Sequence, residues 1–328
     1  MMRKAILPGA AVAGVGGLLM AVNPRSVASA FAHFESWTLI PILVLMLGFY
    51  ALQGLRWHLL LRAAGARVRL VDSQLINFAG QAMTAVVPLG DLTRAMLVSR
   101  SSGVDAGAAA ATVTVQELTF TLLVVLAAIP ALGHLPNGIW LVLVVAGGIA
   151  AVITLLSVAR LFRVVLRGVR CTPGLRRFAA GVESLQRQTA RLLRMPAVGA
   201  GAVMDLGRVL AATAALGLVL HGLHVDNLGW WNISLVLAAS FVGGALSLLP
   251  GGVGANEATV VGTLVILGVN PAVAAAAALL QRLTLTAVPA LGGALAYAEL
   301  RRRRRTVARR TAGDGVPVPQ VLVLRAAA

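Results

Sequence analysis

Long apolar runs constrain this chain more than any other feature of its sequence. About 20 consecutive apolar residues cross a bilayer as an α-helix. Of the 328 residues, 59% are hydrophobic and 12% are charged, whereas a soluble domain carries roughly 25% charged residues. The sequence therefore predicts an all-α, polytopic helical membrane protein and excludes a soluble enzyme, a disordered tail and a fibrous protein. The apolar segments fall at about 5–22, 37–61, 70–88, 91–101, 107–131, 139–158, 197–222, 232–250, 254–268 and 272–297.

The basic residues lie in groups that flank these apolar segments. The formal net charge is +17, and most Lys and Arg fall at Arg3 and Lys4 and within residues 56–69, 160–194 and 301–310. Cytoplasmic loops gather Lys and Arg, so we expect both termini on the cytoplasmic side of a bacterial-type inner membrane. A basic run also attracts anionic lipid headgroups. No aromatic-rich binding module accompanies the charge, so we expect membrane lipids, and not nucleic acid, as partners.

The first apolar run has two interpretations. It follows Arg3 and Lys4 and precedes the small residues at 27–30, which is the order found in a secretory signal peptide. The run is longer than the roughly 15 residues that bound a signal core. We interpret it as an uncleaved first transmembrane helix, with cleavage as the alternative.

Two breaks rich in proline and glycine interrupt the apolar sequence. Residues 88–90 read Pro-Leu-Gly, and residues 250–254 read Pro-Gly-Gly-Val-Gly. Proline removes a backbone donor and glycine weakens a helix, so a helix should stop at each break. The segments that follow, 91–101 and 254–268, are short for a full span. The sequence thus predicts about six full spans plus two re-entrant broken-helix hairpins. The alternative is two kinked pairs of full-length helices.

The order of helix, broken hairpin and helix occurs twice. One unit covers 37–131 and is broken at Pro88, and the other covers 197–297 and is broken at Pro250. The charge pattern starts the first unit outside and the second inside, so the repeats are inverted, as in many transporters. The predicted regions are a first transmembrane helix and outer loop (1–36), repeat 1 plus one extra helix (37–159), a basic cytoplasmic interfacial linker (160–196), repeat 2 (197–300) and a basic, disordered cytoplasmic tail (301–328).

A few ionisable residues fall inside the predicted membrane segments. Insertion of a charge at the centre of a helix costs about 2.5–3.5 kcal/mol, so these residues should face the protein interior or a cavity and be paired. Asp205 and Arg208 are three residues apart near the inner end of their helix, and we expect them to form a local interfacial pair. The complete set is Asp91, Arg94, Glu117, Asp205, Arg208, Glu257 and Arg282.

Four of these charges follow the repeat with their signs exchanged. Arg94 follows the first break and Glu117 lies on the closing helix of its unit. Glu257 follows the second break and Arg282 lies on the closing helix. A pseudo-twofold axis would bring Arg94 near Glu257 and Glu117 near Arg282. Pairing within each unit is the alternative.

The same residues favour recognition of an anionic headgroup. Arg94 and Arg282 offer the bidentate fork that suits a phosphate, and Glu117 and Glu257 would neutralise them when no ligand is bound. The glycine-rich approach to helix 254–268 offers backbone N–H groups and a positive dipole end. The alternative is that the charges form structural ion pairs that hold the hairpins. The predicted substrate-binding set is Arg94, Arg282, Glu117, Glu257, Asp91, Gly251, Gly252 and Gly254.

Sequence signatures of catalysis are sparse. The chain has no P-loop, no Ser-His-Asp context and no Cys/His cluster, and its single cysteine, Cys171, offers neither a disulfide nor a metal site. We therefore expect a protein that is not an enzyme, with no catalytic residue, no cofactor and no metal.

Two motifs resemble those of the lysylphosphatidylglycerol synthase transmembrane family, also called flippase-like. Residues 248–258 read LLPGGVGANEA and residues 278–283 read ALLQRL. The resemblance covers about 37–298 and is looser in the first half, at Arg56-Trp57, residues 88–100 and Glu117. It implies a membrane domain that moves a lipid, in some members aminoacylated phosphatidylglycerol, between leaflets. We expect the membrane domain only, without the soluble aminoacyltransferase domain.

These observations lead to three functional hypotheses. The first is a lipid transporter that moves an anionic or aminoacylated phospholipid, or a lipid-linked headgroup, between leaflets. The second is a non-transporting partner of a separate lipid-modifying or cell-envelope enzyme, docked through residues 160–195. The third is an intramembrane lipid-modifying enzyme that uses Glu257 or Glu117 as an acid or base.

Overall fold

The computed structural model describes residues 24–84, 91–133, 138–171, 179–247 and 252–314, and the described part of the chain is helical without strands. The predicted all-α fold is confirmed. The first apolar run, with its two interpretations, lies outside the described residues. The helices are α1 (Pro24–Ala32), α2 (Leu39–Ala63), α3 (Leu70–Thr84), α4 (Asp91–Ser102), α5 (Ala106–Leu132), α6 (Gly138–Ser157), α7 (Ala159–Cys171), α8 (Ala179–Leu192), α9 (Pro196–Gly222), α10 (Trp230–Leu246), α11 (Ala255–Ile266) and α12 (Pro271–Asp314).

Within the described residues, five stretches of helix are long and apolar enough to cross a membrane. They match five of the six predicted full spans, and the sixth, 5–22, lies outside the described residues. The chain is therefore a multi-pass membrane protein. The five stretches are Ser36–Ala63, Ala106–Leu132, Gly138–Leu155, Pro196–Gly222 and Pro271–Ala296.

Two packed pairs of short helices occupy the positions of the predicted hairpins. Helices α3 and α4 have 15 and 12 residues, and α10 and α11 have 17 and 12, so each falls short of the roughly 20 that a span needs. The breaks at Pro88 and Pro250 lie outside the described residues. Just after the second break, Gly252 has φ +64°, and a Cβ there would lie 2.8 Å from the Cα of Gly244. Glycine at this position thus lets the segment before α11 approach the backbone of α10 closely.

Contacts between helices follow the repeat. Helices α2 and α9, which open the two units, pack against each other. The first hairpin helix of each unit packs against the closing helix of the other, as α3 against α12 and α10 against α5. The two hairpins also resemble each other internally, since a Cβ at Gly80 would meet the Arg94 side chain and a Cβ at Gly243 would meet the Thr259 side chain. This pattern is the one expected of two repeats related by a pseudo-twofold axis.

The basic linker forms two helices, α7 and α8, and α8 packs against α5. The Ser184 hydroxyl of α8 donates to the Asp105 carboxylate at 2.6 Å. The same carboxylate accepts the Ala108 N–H at 2.9 Å and so caps α5. Leu192 at the end of α8 is buried in a cluster with Leu60 of α2. The linker is therefore anchored on the helical bundle.

The basic tail differs from its prediction. The tail from residue 301 was expected to be disordered, but α12 continues as one helix through the arginine run to Asp314. Arginine is a good helix former, and the first glycine or proline after Gly293 is Gly313. The helix therefore meets no breaker along this stretch. Residues 315–328 lie outside the described part of the chain.

Candidate functional site

The first ion pair joins α4 to α5 within repeat 1. Arg94 Nη2 lies 3.1 Å from Glu117 Oε1, and Arg94 Nη1 donates to Asn77 Oδ1 at 2.8 Å and to Gln116 Oε1 at 3.4 Å. The Arg94 side chain has 0% exposure, whereas that of Glu117 has 35%. A Cβ at Gly80 would lie 2.1 Å from Arg94 Cγ, so glycine leaves the space that the arginine fills. Arg94 is thus enclosed by α3, α4 and α5.

The second ion pair joins α11 to α12 within repeat 2. Arg282 Nε lies 3.6 Å from Glu257 Oε1, and Glu257 Oε2 accepts the Gly254 N–H at 2.7 Å. Gly254 has φ +86°, a left-handed conformation that favours glycine and starts the helix at the position where Glu257 caps it. Glu257 is 2% exposed and Arg282 is 20% exposed. Here the acid is enclosed and the arginine remains accessible.

A buried cluster joins α2, α5 and α9. Asp205 Oδ2 lies 3.2 Å from Arg56 Nε and accepts the Thr119 hydroxyl at 3.0 Å, while Asp205 Oδ1 lies 3.0 Å from Arg208 Nη1. All three charged side chains are buried. The single carboxylate of Asp205 is thus shared by two arginines, one from each repeat.

The surroundings of the cluster explain how two buried arginines are accommodated. Arg208 Cζ lies 4.0 Å from the ring centroid of Phe120 and 4.7 Å from that of Phe49, so two aromatic faces contact its charge. Arg56 Nη1 donates to the Ala197 carbonyl at 2.8 Å. A Cβ at Gly201 would lie 1.6 Å from Arg56 Nη1, so only glycine leaves room for the guanidinium.

Comparison of the chain with known protein families gives evidence that is independent of this geometry. The family described as "Lysylphosphatidylglycerol synthase TM region" matches residues 6–293. The chain belongs to this family. Membership in the lysylphosphatidylglycerol synthase TM family confirms the resemblance predicted from the motifs and indicates a role related to membrane lipids. A comparison with curated proteins gave no match.

In this family member the two ion pairs form within the repeats. The structure thus follows the second of the two pairings that the sequence left open, Arg94 with Glu117 and Glu257 with Arg282. The predicted exchange of sign is present: the hairpin helix contributes the arginine in repeat 1 and the acid in repeat 2. In both pairs the accessible partner lies on the closing helix. The two accessible groups therefore carry opposite charges.

The predicted glycine positions and Asp91 fall into two groups, those that the structure describes and those that it does not. Gly252 and Gly254 supply left-handed backbone, but the first turn of α11 is capped by Glu257, so its Gly254 N–H already has a carboxylate partner. Asp91 opens α4, and its side chain is outside the described part of the chain. Gly251 lies outside the described residues as well.

Asp205 and Arg208 form the local pair that was expected. The pair is buried within the bundle, where Arg56 also binds Asp205. Arg56 was grouped with the arginines of a cytoplasmic loop, although it stands inside the apolar run 37–61. The cost of burying a charge, applied to Arg56 as to the others, would have identified it as a member of an intramembrane pair.

One amide beside Arg282 lacks a partner in the described structure. Gln281 is buried, and among the described residues neither of its amide atoms has a hydrogen-bond partner. Gln116, which stands next to Glu117 in the other repeat, donates to the Gln53 carbonyl at 2.8 Å and accepts from Arg94. A buried amide without hydrogen-bond partners costs free energy. A polar ligand beside Arg282 that hydrogen-bonds to Gln281 would recover this free energy.

Proposed function

We propose that this family member moves a lipid with an anionic or aminoacylated headgroup, or a lipid-linked headgroup, between the leaflets of a bacterial-type inner membrane. The observation that carries the proposal is the pair of related ion pairs at the two hairpins, each with one enclosed and one accessible partner. Membership in a family with a membrane-lipid role supports it. Movement of a lipid needs no covalent step, so no residue is assigned to catalysis.

Arg282 is the residue proposed to engage the headgroup phosphate. Arg94 was expected to share this task, but it is enclosed and already holds Asn77, Gln116 and Glu117. The 3.6 Å separation of Arg282 Nε from Glu257 is longer than a charge-assisted hydrogen bond of about 2.7–2.9 Å. A phosphate therefore competes for the guanidinium with Glu257, whose contact with Arg282 is long.

Glu257 and Glu117 take different parts in this proposal. Glu257 is enclosed and caps α11, so its carboxylate is fixed in place and pairs with Arg282 when no lipid is bound. Glu117 is the accessible partner in repeat 1, and its charge suits the amine of an aminoacylated headgroup. The enclosed Arg94 holds Glu117 in position. An anionic lipid without an amine would use the Arg282 side of this arrangement alone.

Leaflet exchange in liposomes tests the proposal. The purified protein is reconstituted with fluorescent phosphatidylglycerol, aminoacylated phosphatidylglycerol or phosphatidylcholine, and exchange is measured by quenching of the outer leaflet. We expect exchange of the first two lipids to be faster than that of the third, and Arg282→Ala to slow it at least tenfold. Arg62→Ala is the matched control, since Arg62 is an exposed arginine in the last turn of α2.

Two outcomes would contradict the proposal in different ways. Wild-type rates in a folded Arg282→Ala protein would overturn the assigned site. A folded wild-type protein that exchanges none of these lipids would move the test to lipid-linked sugars. Failure there too would leave the partner hypothesis, which predicts that an enzyme co-purifies with the wild-type protein and is lost when residues 165–190 are deleted.

A further inference from the structure

We infer that α7 is a docking surface for the anionic lipid headgroups of the leaflet on which it lies. Helix α7 follows the membrane span of α6 closely. The apolar span in α6 ends at Leu155, and α7 begins at Ala159. Four residues reach at most about 14 Å even when fully extended. The start of α7 therefore lies near the membrane surface at which this span ends.

Helix α7 has three distinct faces. Phe162 and Leu166, one turn apart, are buried against the protein. Leu161, Val164 and Val165 form an apolar stripe that is 48%, 66% and 40% exposed. The third face carries arginine at spacings of three and four, namely Arg160, Arg163, Arg167 and Arg170, all exposed. An exposed apolar stripe beside an arginine stripe is the pattern of a helix that lies in a membrane interface.

The arginines of α7 have few acidic partners among the described residues. Arg170 lies 3.1 Å from Glu183 of α8, and Glu183 also binds Arg187 at 2.9 Å. Within the described ranges, no carboxylate lies within salt-bridge distance of Arg160, Arg163 or Arg167. Helix α7 itself has no acidic residue. Its arginine face thus presents an excess of positive charge beside a bilayer, where anionic headgroups are the nearest abundant counter-charges.

The orientation of this face is set by the rest of the fold. Helix α7 packs against α8, and the Arg170–Glu183 ion pair joins them. Helix α8 in turn packs against α5, with Ser184 bound to Asp105. These contacts fix which side of α7 turns toward the protein. The remaining two sides are then available to the acyl boundary and to the headgroups.

Cys171 provides the test, since it is the single cysteine of the chain and is exposed at the end of α7. A donor fluorophore is attached to it in the full-length protein, which is reconstituted in vesicles of phosphatidylcholine and phosphatidylglycerol. Energy transfer is compared between acceptor-labelled phosphatidylglycerol and acceptor-labelled phosphatidylcholine. We expect transfer to favour the anionic lipid several-fold at low salt, and the preference to weaken as salt is raised.

Substitutions identify the residues responsible. Arg160, Arg163 and Arg167 are changed together to Gln, and energy transfer to the two acceptor lipids should then become nearly equal. A variant with Lys at the same three positions should keep most of the preference for the anionic lipid. The control removes the same charge elsewhere, with Arg62, Arg67 and Arg194 changed to Gln, and should leave the preference near that of the wild type.

The experiment separates this inference from a protein-docking role. Equal transfer to both lipids in the wild-type protein would overturn the inference, as would an unchanged preference in a folded Gln variant. Either result would favour an acidic protein as the occupant of α7. The readout does not require leaflet exchange, so it stands or falls independently of the transport proposal.

Discussion

Arg282 of α12 lies 3.6 Å from Glu257 of α11, and of these two residues the acid is the enclosed one. Because Glu257 also accepts the Gly254 N–H, one carboxylate caps α11 and holds the arginine proposed to meet the substrate. The stability of the hairpin and the availability of Arg282 therefore depend on the same side chain. Substitutions at Glu257 should affect both properties.

Replacing Glu257 should separate these two effects. Glu257→Ala leaves the Gly254 N–H and Arg282 without this partner and should destabilise the protein by about 1–3 kcal/mol. Glu257→Gln keeps an acceptor for Gly254 and should cost less, while it removes the charge that competes for Arg282. Thermal unfolding in detergent measures the first effect. Titration with phosphatidylglycerol measures the second, and Glu257→Gln should bind this lipid more tightly.

The control for this series is Glu183→Ala, which removes an exposed carboxylate from the ion pairs of α7 and α8. Such exposed pairs contribute about 0–1 kcal/mol, so its effect on unfolding should be small. Equal unfolding temperatures for Glu257→Ala and the wild type would refute the capping role.

The buried cluster should be sensitive to the space at Gly201. A Cβ at this position would lie 1.6 Å from Arg56 Nη1, so Gly201→Ala must push the guanidinium away from Asp205. We expect a loss of about 1–3 kcal/mol in stability, as for overpacking of a core. Gly199→Ala is the matched control on the same helix, because no atom lies within 4 Å of its added Cβ. It should be neutral or stabilising by up to about 1 kcal/mol.

Removal of Asp205 should destabilise the protein more than removal of an exposed acid that also forms an ion pair. Asp205→Ala leaves two buried arginines without their shared carboxylate, and loss of one partner from a buried pair costs about 3–5 kcal/mol. Asp226→Ala breaks the exposed contact with His221 and should cost less than about 1 kcal/mol. Comparable yields and unfolding temperatures for the two variants would show that the cluster does not stabilise the bundle.

The stability that the contact between α8 and α5 provides should decrease at acid pH. The Ser184 hydroxyl and the Ala108 N–H lower the pKa of Asp105 below its ordinary value. The folded pKa is therefore lower than the unfolded pKa, and the stabilisation is complete above the ordinary value of about 3.9. This stabilisation is lost as the pH falls through the lowered pKa of Asp105 in the folded protein. Unfolding of the wild type should become easier over this acid range, whereas Asp105→Asn should show a smaller dependence.

Ser184→Ala checks the assigned cause. Without the hydroxyl, the pKa of Asp105 in the folded protein should move back toward its ordinary value. The acid-induced loss of stability should therefore be smaller than in the wild type and should be complete at a higher pH. An identical acid profile in the two proteins would mean that another group is responsible.

The ion pairs show how far the sequence could anticipate the site. The positions of Glu117 and Arg282 in their repeats predicted one acid and one base at each hairpin, and both bridges are present. The choice between pairing within and across repeats remained open, because spacing along the chain does not define the distance between helices. The burial of Arg94 and the accessibility of Arg282 likewise depend on neighbouring helices.

The sequence alone was sufficient to predict a helical, multi-pass fold, the repeated order of elements and the family. Hydropathy is a local property that adds along a helix, so five spans could be located before their neighbours were known. The tertiary structure alone decided that Arg56 meets Asp205, 149 residues away, in the space beside Gly201. That ion pair depends on the close approach of α2 and α9, and neither helix specifies by itself which face the other will cover.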